Sequence, residues 1–179
     1  MPIGYPNTPE IVYGFGFSMG YKHIDFSGFF QGLARESFWI DANATAPFVS
    51  YLYSGESNPR TLENALIKAY ADDHWSEDNR NMYALWPRLS TSSIGNANNS
   101  QRSTWFMRDG SFLRLKSLEV GYTLPNKMTG KLGANVRIYA SGTNLLTLSK
   151  FKLWDPEMAG NGLGYPVQRV YNVGLTVSF

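Results

Sequence analysis

Residues Arg169–Phe179 read RVYNVGLTVSF. Counting back from the end, Phe179, Val177, Leu175, Val173 and Tyr171 are large and apolar. Ser178, Thr176, Gly174 and Asn172 between them are small or polar. Side chains of an extended chain point alternately to opposite faces, so this pattern predicts a two-faced strand. Its terminal Phe needs a core to cover it in water, and none at a hydrocarbon boundary.

The same period recurs upstream. In IVYGFGFSMGYK, Ile11, Tyr13, Phe15, Phe17, Met19 and Tyr21 share one face, and Val12, Gly14, Gly16, Ser18, Gly20 and Lys22 the other. After a tight Lys22-His23 turn, Ile24, Phe26 and Phe30 oppose Asp25, Ser27 and Gln31, and Phe29 breaks the pattern. In SFLRLKSLEVGYTL, Leu118, Val120, Tyr122 and Leu124 oppose Ser117, Glu119, Gly121 and Thr123. Leu113 and Leu115 lie on the opposite parity, so a β-bulge is expected near Lys116. In ANVRIYASG, Val136, Ile138 and Ala140 oppose Asn135, Arg137, Tyr139 and Ser141. Strands are therefore expected near 11–22, 24–36, 111–124, 133–143 and 168–179, antiparallel and up-and-down in an all-β fold.

Short connections alternate with long ones, 37–110 and 145–167. That is the habit of outer-membrane barrels, whose turns on one side are short and whose extracellular loops are long. A link as long as 37–110 calls for structure of its own. A helix is expected there, capped by Asn58, with Pro59 in its first position and Leu62, Leu66, Ala69 and Tyr70 as its apolar stripe. The polar stretch TSSIGNANNSQRS is expected to face solvent.

Alternating strands also build soluble sandwiches, where the outward face usually carries Lys, Glu, Thr and Arg. Here the non-apolar face of the first strand is mostly Gly and Ser, and its apolar face holds aromatics. Charged residues are 17% of the chain and aromatics 15%. Soluble domains average roughly 25% charged. A transmembrane β-barrel accounts for this better, with Tyr13, Tyr21, Tyr122, Tyr171 and Phe179 in interfacial girdles. A soluble glycan-binding β-sandwich is the alternative.

A formal charge of +2, with Lys and Arg scattered, argues against a nucleic-acid partner. There is no cysteine, and neither His23 nor His74 has a partner at metal-ligand spacing. Asp72, Asp73, His74, Glu77 and Asp78 cluster without the spacing of a calcium loop, and read as a solvated acidic loop. No nucleophile elbow or phosphate loop is present. No enzyme activity, metal or cofactor is expected. The start, MPIGYPNTPE, has no basic segment followed by an apolar core, so no secretory signal is read in this chain.

PEIVYGFGFSMGYK, PRLS (Pro87–Ser90), DGSFLRLKSLEVGYTLP, RIYASGTNLLTLSKFKLWDPE and GYPVQRVYNVGLTVSF occur in that order. The ordered set resembles the C-terminal part of the SusC/RagA family, the TonB-dependent outer-membrane transporters of Bacteroidetes. The resemblance implies a plugged barrel of about 22 strands that imports oligosaccharides or peptides. It implies a SusD-like surface lipoprotein as lid, energy from the TonB complex, and an outer-membrane location. Tyr171, Val173, Leu175, Val177 and Phe179 then look like the signal read by the barrel-insertion machinery. On this reading residues 1–179 are a C-terminal fragment, and the plug, the TonB-contacting segment and most strands lie on other sequence.

Loop aromatics are the candidate contacts for solute or lid: Trp39, Trp75, Trp86, Trp154 and Tyr165, beside Tyr51 and Tyr53. Flat rings stack on sugars or anchor a protein partner. The competing expectation is that they pack a small core within the loops. Asp25, Gln31, Glu119, Asn135 and Arg137 are the candidate lumen-facing groups, lining a solute path or bonding to a plug and neighbouring strands. Asp155, Pro156 and Glu157 read as a turn opening the last long loop.

Overall fold

The computed structural model describes residues 3–48, 50–53, 60–91, 98–99, 101–129 and 133–179. Five long strands form one open antiparallel sheet, β1 (Ile11–Tyr21), β2 (Ile24–Ala34), β7 (Phe112–Thr123), β8 (Asn135–Ser149) and β9 (Val170–Ser178), in the order β1-β2-β7-β8-β9. Each is paired with its sequence neighbour in the sheet, so the meander is up-and-down as expected. It does not close on itself.

Register joins the alternating faces across all five strands. Phe15 lies opposite Phe30, Phe26 opposite Val120, Tyr122 opposite Ile138, and Ile138 opposite Leu175. The result is one continuous apolar face. It is bare: Phe15 is 52% exposed, Leu175 61% and Val173 83%. The terminal Phe179 is likewise uncovered, at 99%. The register shifts between Leu115 and Ser117, leaving Lys116 as the extra residue of the expected bulge, with a matching shift between Phe29 and Phe30. That explains why Leu113 and Leu115 face the same way as Leu118 despite opposite parity.

Phe29, the break in the pattern of β2, points to the other face. Its ring lies over Gly14 and Gly16, where an added methyl would sit 2.9 Å and 3.2 Å from ring carbons. The glycines of β1 thus make room for an aromatic reaching across from the next strand. The β1–β2 turn is tight because Lys22 adopts a left-handed conformation, φ 55°.

The long link after β2 folds on itself. β3 (Ser37–Trp39) pairs with β6 (Met107–Asp109), and β4 (Ser50–Tyr53) with β5 (Arg60–Glu63). α1 (Ala42–Thr45) is capped by Asp41, whose Oδ1 accepts from the Ala44 amide at 3.1 Å. α2 (Lys68–Asp72) is five residues long. The helix expected from Asn58 is therefore corrected. Asn58 and Pro59 lie outside the described residues, and Leu62 sits in a strand opposite Tyr51. A single helical turn or two is marginal alone, so pairing with β4 prevails over the local apolar stripe. α3 (Asn126–Thr129) follows β7. β8 runs on to Ser149, although the last long loop is expected from residue 145. Of TSSIGNANNSQRS, residues 92–97 and 100 lie outside the described residues; Thr91, Asn98, Gln101, Arg102 and Ser103 are exposed, as expected, and Asn99 is half-buried.

The buried core belongs to the loops. Phe38, Ile40, Tyr70, Trp86, Phe106 and Phe151 form it, with Trp39, Leu85, Trp105 and Trp154 packed around them. No helix among the described residues is long and apolar enough to cross a membrane, which says nothing about a barrel.

Candidate functional site: the glycine-bearing face and the loop cluster

Asp25, Gln31, Glu119, Asn135 and Arg137 all lie on the face opposite the apolar one. Three of them meet. Arg137 reaches across β7, donating from Nε to Asp25 Oδ2 at 2.9 Å, from Nη2 to Asp25 Oδ1, and from Nη2 to Glu119 Oε1 at 2.7 Å. The planar fork of arginine suits this two-point grip on a carboxylate. Gly121, opposite Asp25 in register, leaves the space that the guanidinium crosses. The triad ties β2, β7 and β8 together on this face. Gln31 lies farther along, opposite Arg114, and Asn135 opposite Ser178.

Arg114 is the residue that strand patterning passes over. It lies on the glycine-bearing face, yet its side chain is 2% exposed. Its Nη2 donates to Asp155 Oδ1 at 2.5 Å, and its Nε stands 3.6 Å from Glu157 Oε1 without a hydrogen bond. Asp155 Oδ1 also accepts from the Glu157 amide and caps the short 3₁₀ turn Pro156–Met158. The DPE segment is therefore more than a turn: it anchors the last loop to the sheet.

The loop aromatics divide. Trp86 is a core residue, 1% exposed and stacked on Tyr70 with centroids 4.3 Å apart, as the competing expectation of a core within the loops has it. Trp154 is half-buried; its Nε1 donates to the Ala159 carbonyl at 2.7 Å, and its ring meets Phe151 edge-on. Trp75 is half-buried, its amide bonded to the Trp86 carbonyl. Tyr165 stands in solvent, its hydroxyl accepting from Gln168. The side chains of Tyr51 and Tyr53 lie outside the described residues. Trp39 packs one side against the core and carries the Arg102 guanidinium 4.1 Å above its ring. Among the described residues no group of three or more His, Asp or Glu is placed to hold a metal ion.

Beside Trp39 opens a cleft of about 470 Å³, lined by Asn7, Glu36, Asp41, Arg102 and Gly160 among others. Burial pushes the Glu36 carboxyl above its ordinary range. No motif marks Glu36 or Arg102 in the sequence, because what distinguishes them is the space they share.

No family model matches the chain. Over 99% of its length it is 29% identical to TonB-dependent receptor P26 and 30% identical to TonB-dependent receptor P3, both of Formosa agariphila. Over 95% it is 24% identical to TonB-dependent receptor SusC of Bacteroides thetaiotaomicron. Among solved structures it is similar to the RagAB peptide importer in its open-open state, at 28% identity and TM-score 0.65 over 98% of the chain. The closed-closed state gives 25% and 0.68 over 99%. The chain belongs with the SusC/RagA-type TonB-dependent receptors. It spans about a sixth of the length of those relatives: 18%, 17% and 15% of the curated proteins and 18% of each structure's chain. In a transmembrane barrel an apolar face of this kind is the side turned to lipid. The Arg137 triad sits on the opposite face of the sheet. The relatives are receptors and importers rather than enzymes.

Proposed function

We propose that the chain is part of the wall of an outer-membrane, TonB-dependent importer of oligosaccharides or peptides. It completes that wall, and its loop cluster meets solute and a SusD-like surface lipoprotein on the extracellular side. Asp25, Gln31, Glu119, Asn135 and Arg137 face the lumen, and Tyr171 to Phe179 serve as the signal for barrel insertion. The TonB complex acts through parts of the receptor outside this chain. The single observation that carries the reading is the continuous apolar face from β1 to β9 with nothing over it. In water such a face would need a second layer; in lipid it needs none. The same observation disfavours the soluble glycan-binding sandwich, and the free edges of β1 and β9 require neighbouring strands within a bilayer.

Cell fractionation tests the proposal. Peptides from this chain are expected in the detergent-extracted outer membrane, within a polypeptide that co-purifies with a surface lipoprotein. Recovery as a soluble monomer that unfolds cooperatively without detergent would overturn it. The facing of β9 has its own test. Leu175→Arg in the receptor should destabilise the barrel by about 2–4 kcal/mol if near the bilayer midplane, and Thr176→Arg far less. Equal loss of heat-modifiable, assembled barrel at the two positions would reverse the assignment of faces.

A further inference from the structure

We propose that the cleft between β3, the start of α1 and the turn at Gly160 binds its ligand through a primary ammonium group, held by Glu36, with a neighbouring ligand oxygen held by Arg102. Among the described residues the Glu36 carboxylate accepts no hydrogen bond and forms no ion pair, although it is half-buried. Arg102, over the Trp39 ring, likewise makes no hydrogen bond or ion pair among the described residues. Asp41 adds a second carboxylate, with one oxygen occupied by the Ala44 amide. Two carboxylates and one guanidinium leave a surplus negative charge, which favours a cationic group over a neutral or anionic one. The walls are preset. The Asp41 amide donates to the Gly160 carbonyl at 2.9 Å, and a methyl on Gly160 would collide with the Trp39 carbonyl. A ligand therefore meets a formed cleft rather than one it must order.

The inference rests on reading the loop cluster as solute-facing, and extends it. An ammonium of this kind comes from an amino sugar or from the amino terminus of a peptide. The test uses the detergent-solubilised receptor carrying this chain. Four probes are titrated by calorimetry: a glucosamine oligomer, its N-acetylated counterpart, a short peptide with a free amino terminus, and its N-acetylated form. At least one free amine should bind about tenfold or more tighter than its acetylated partner, and which pair shows it identifies the source. Glu36→Gln should abolish that preference, and Arg102→Gln should weaken both members of the pair, with an unchanged thermal transition as the folding control. Equal binding of acetylated and free forms, a preference that survives Glu36→Gln, or no binding by any probe would each overturn the site. A receptor that fractionates with the outer membrane yet shows such a result leaves the wall assignment standing.

Discussion

Replacing Asp155 with alanine should destabilise the anchoring of the last loop by about 3–5 kcal/mol, whereas Arg114→Met should cost much less. The asymmetry follows from burial. The Arg114 side chain is 2% exposed and Asp155 15%. Removing Asp155 strands a buried guanidinium whose remaining acidic neighbour, Glu157, is 3.6 Å from Nε. It also removes the acceptor that caps the Pro156–Met158 turn. Removing Arg114 instead leaves a carboxylate that retains its bond to the Glu157 amide and some access to water. Methionine preserves much of the arginine stem's volume and deletes the buried charge, including an Nε that has no hydrogen-bond partner. Limited proteolysis of residues 150–169 within the receptor reads the effect: rapid cleavage in Asp155→Ala, near-parent resistance in Arg114→Met. Adding Arg114→Met to Asp155→Ala should restore much of the resistance, because the stranded charge is gone. Equal damage from the two single changes would show that the ion pair, rather than the burial of one partner, fixes the loop.

The contrast between sheet and loops explains what the sequence made legible. A strand's side-chain period is two whatever it packs against, so Ile11 to Tyr21 and Tyr171 to Phe179 declare their faces locally. Even the bulge at Lys116 leaves a local trace, as a slip of parity between Leu115 and Leu118. Phe29 is intelligible only with β1 beside it, since the glycines it covers belong to another strand. The loop core leaves still less trace. Phe38, Tyr70, Trp86, Phe106 and Phe151 come from separate segments with no shared period. Arg114 and Asp155 are 41 residues apart. The misplaced helix has the same origin: Leu62, Leu66 and Tyr70 make a helical stripe on paper, but β4 offers Leu62 a partner. For the site, local pattern finds the Arg137 triad by face. It cannot find the Glu36–Arg102 cleft, which exists only once β3 and the turn at Gly160 meet.

Trp86→Ala should cost about 3–5 kcal/mol of loop-cluster stability, the range for emptying a large aromatic site in a packed core. Trp86 bridges that core: it stacks on Tyr70 at 4.3 Å and tilts against Phe106 at 5.2 Å, so its loss leaves two rings facing a void. Its backbone also joins the 73–75 segment, donating to the Asp73 carbonyl and accepting from the Trp75 amide. A collapse that closed the void would have to break that pairing. Trp86→Phe should be far milder. It keeps most of the ring contact and removes an indole N–H that is buried without a hydrogen-bond partner, a group whose desolvation costs about 1–3 kcal/mol. The two substitutions separate packing from polarity, since only packing is lost on going from Phe to Ala. Loop-cluster melting should show it, followed by near-ultraviolet circular dichroism of the receptor. The transition should fall steeply for Trp86→Ala and little for Trp86→Phe. Heat-modifiable migration of the barrel should stay unchanged in both, because the strand ladders β1-β2-β7-β8-β9 make no use of this core. A barrel that failed to assemble in Trp86→Ala would mean that the loops template the wall, and that the sheet and the loop core are one cooperative unit.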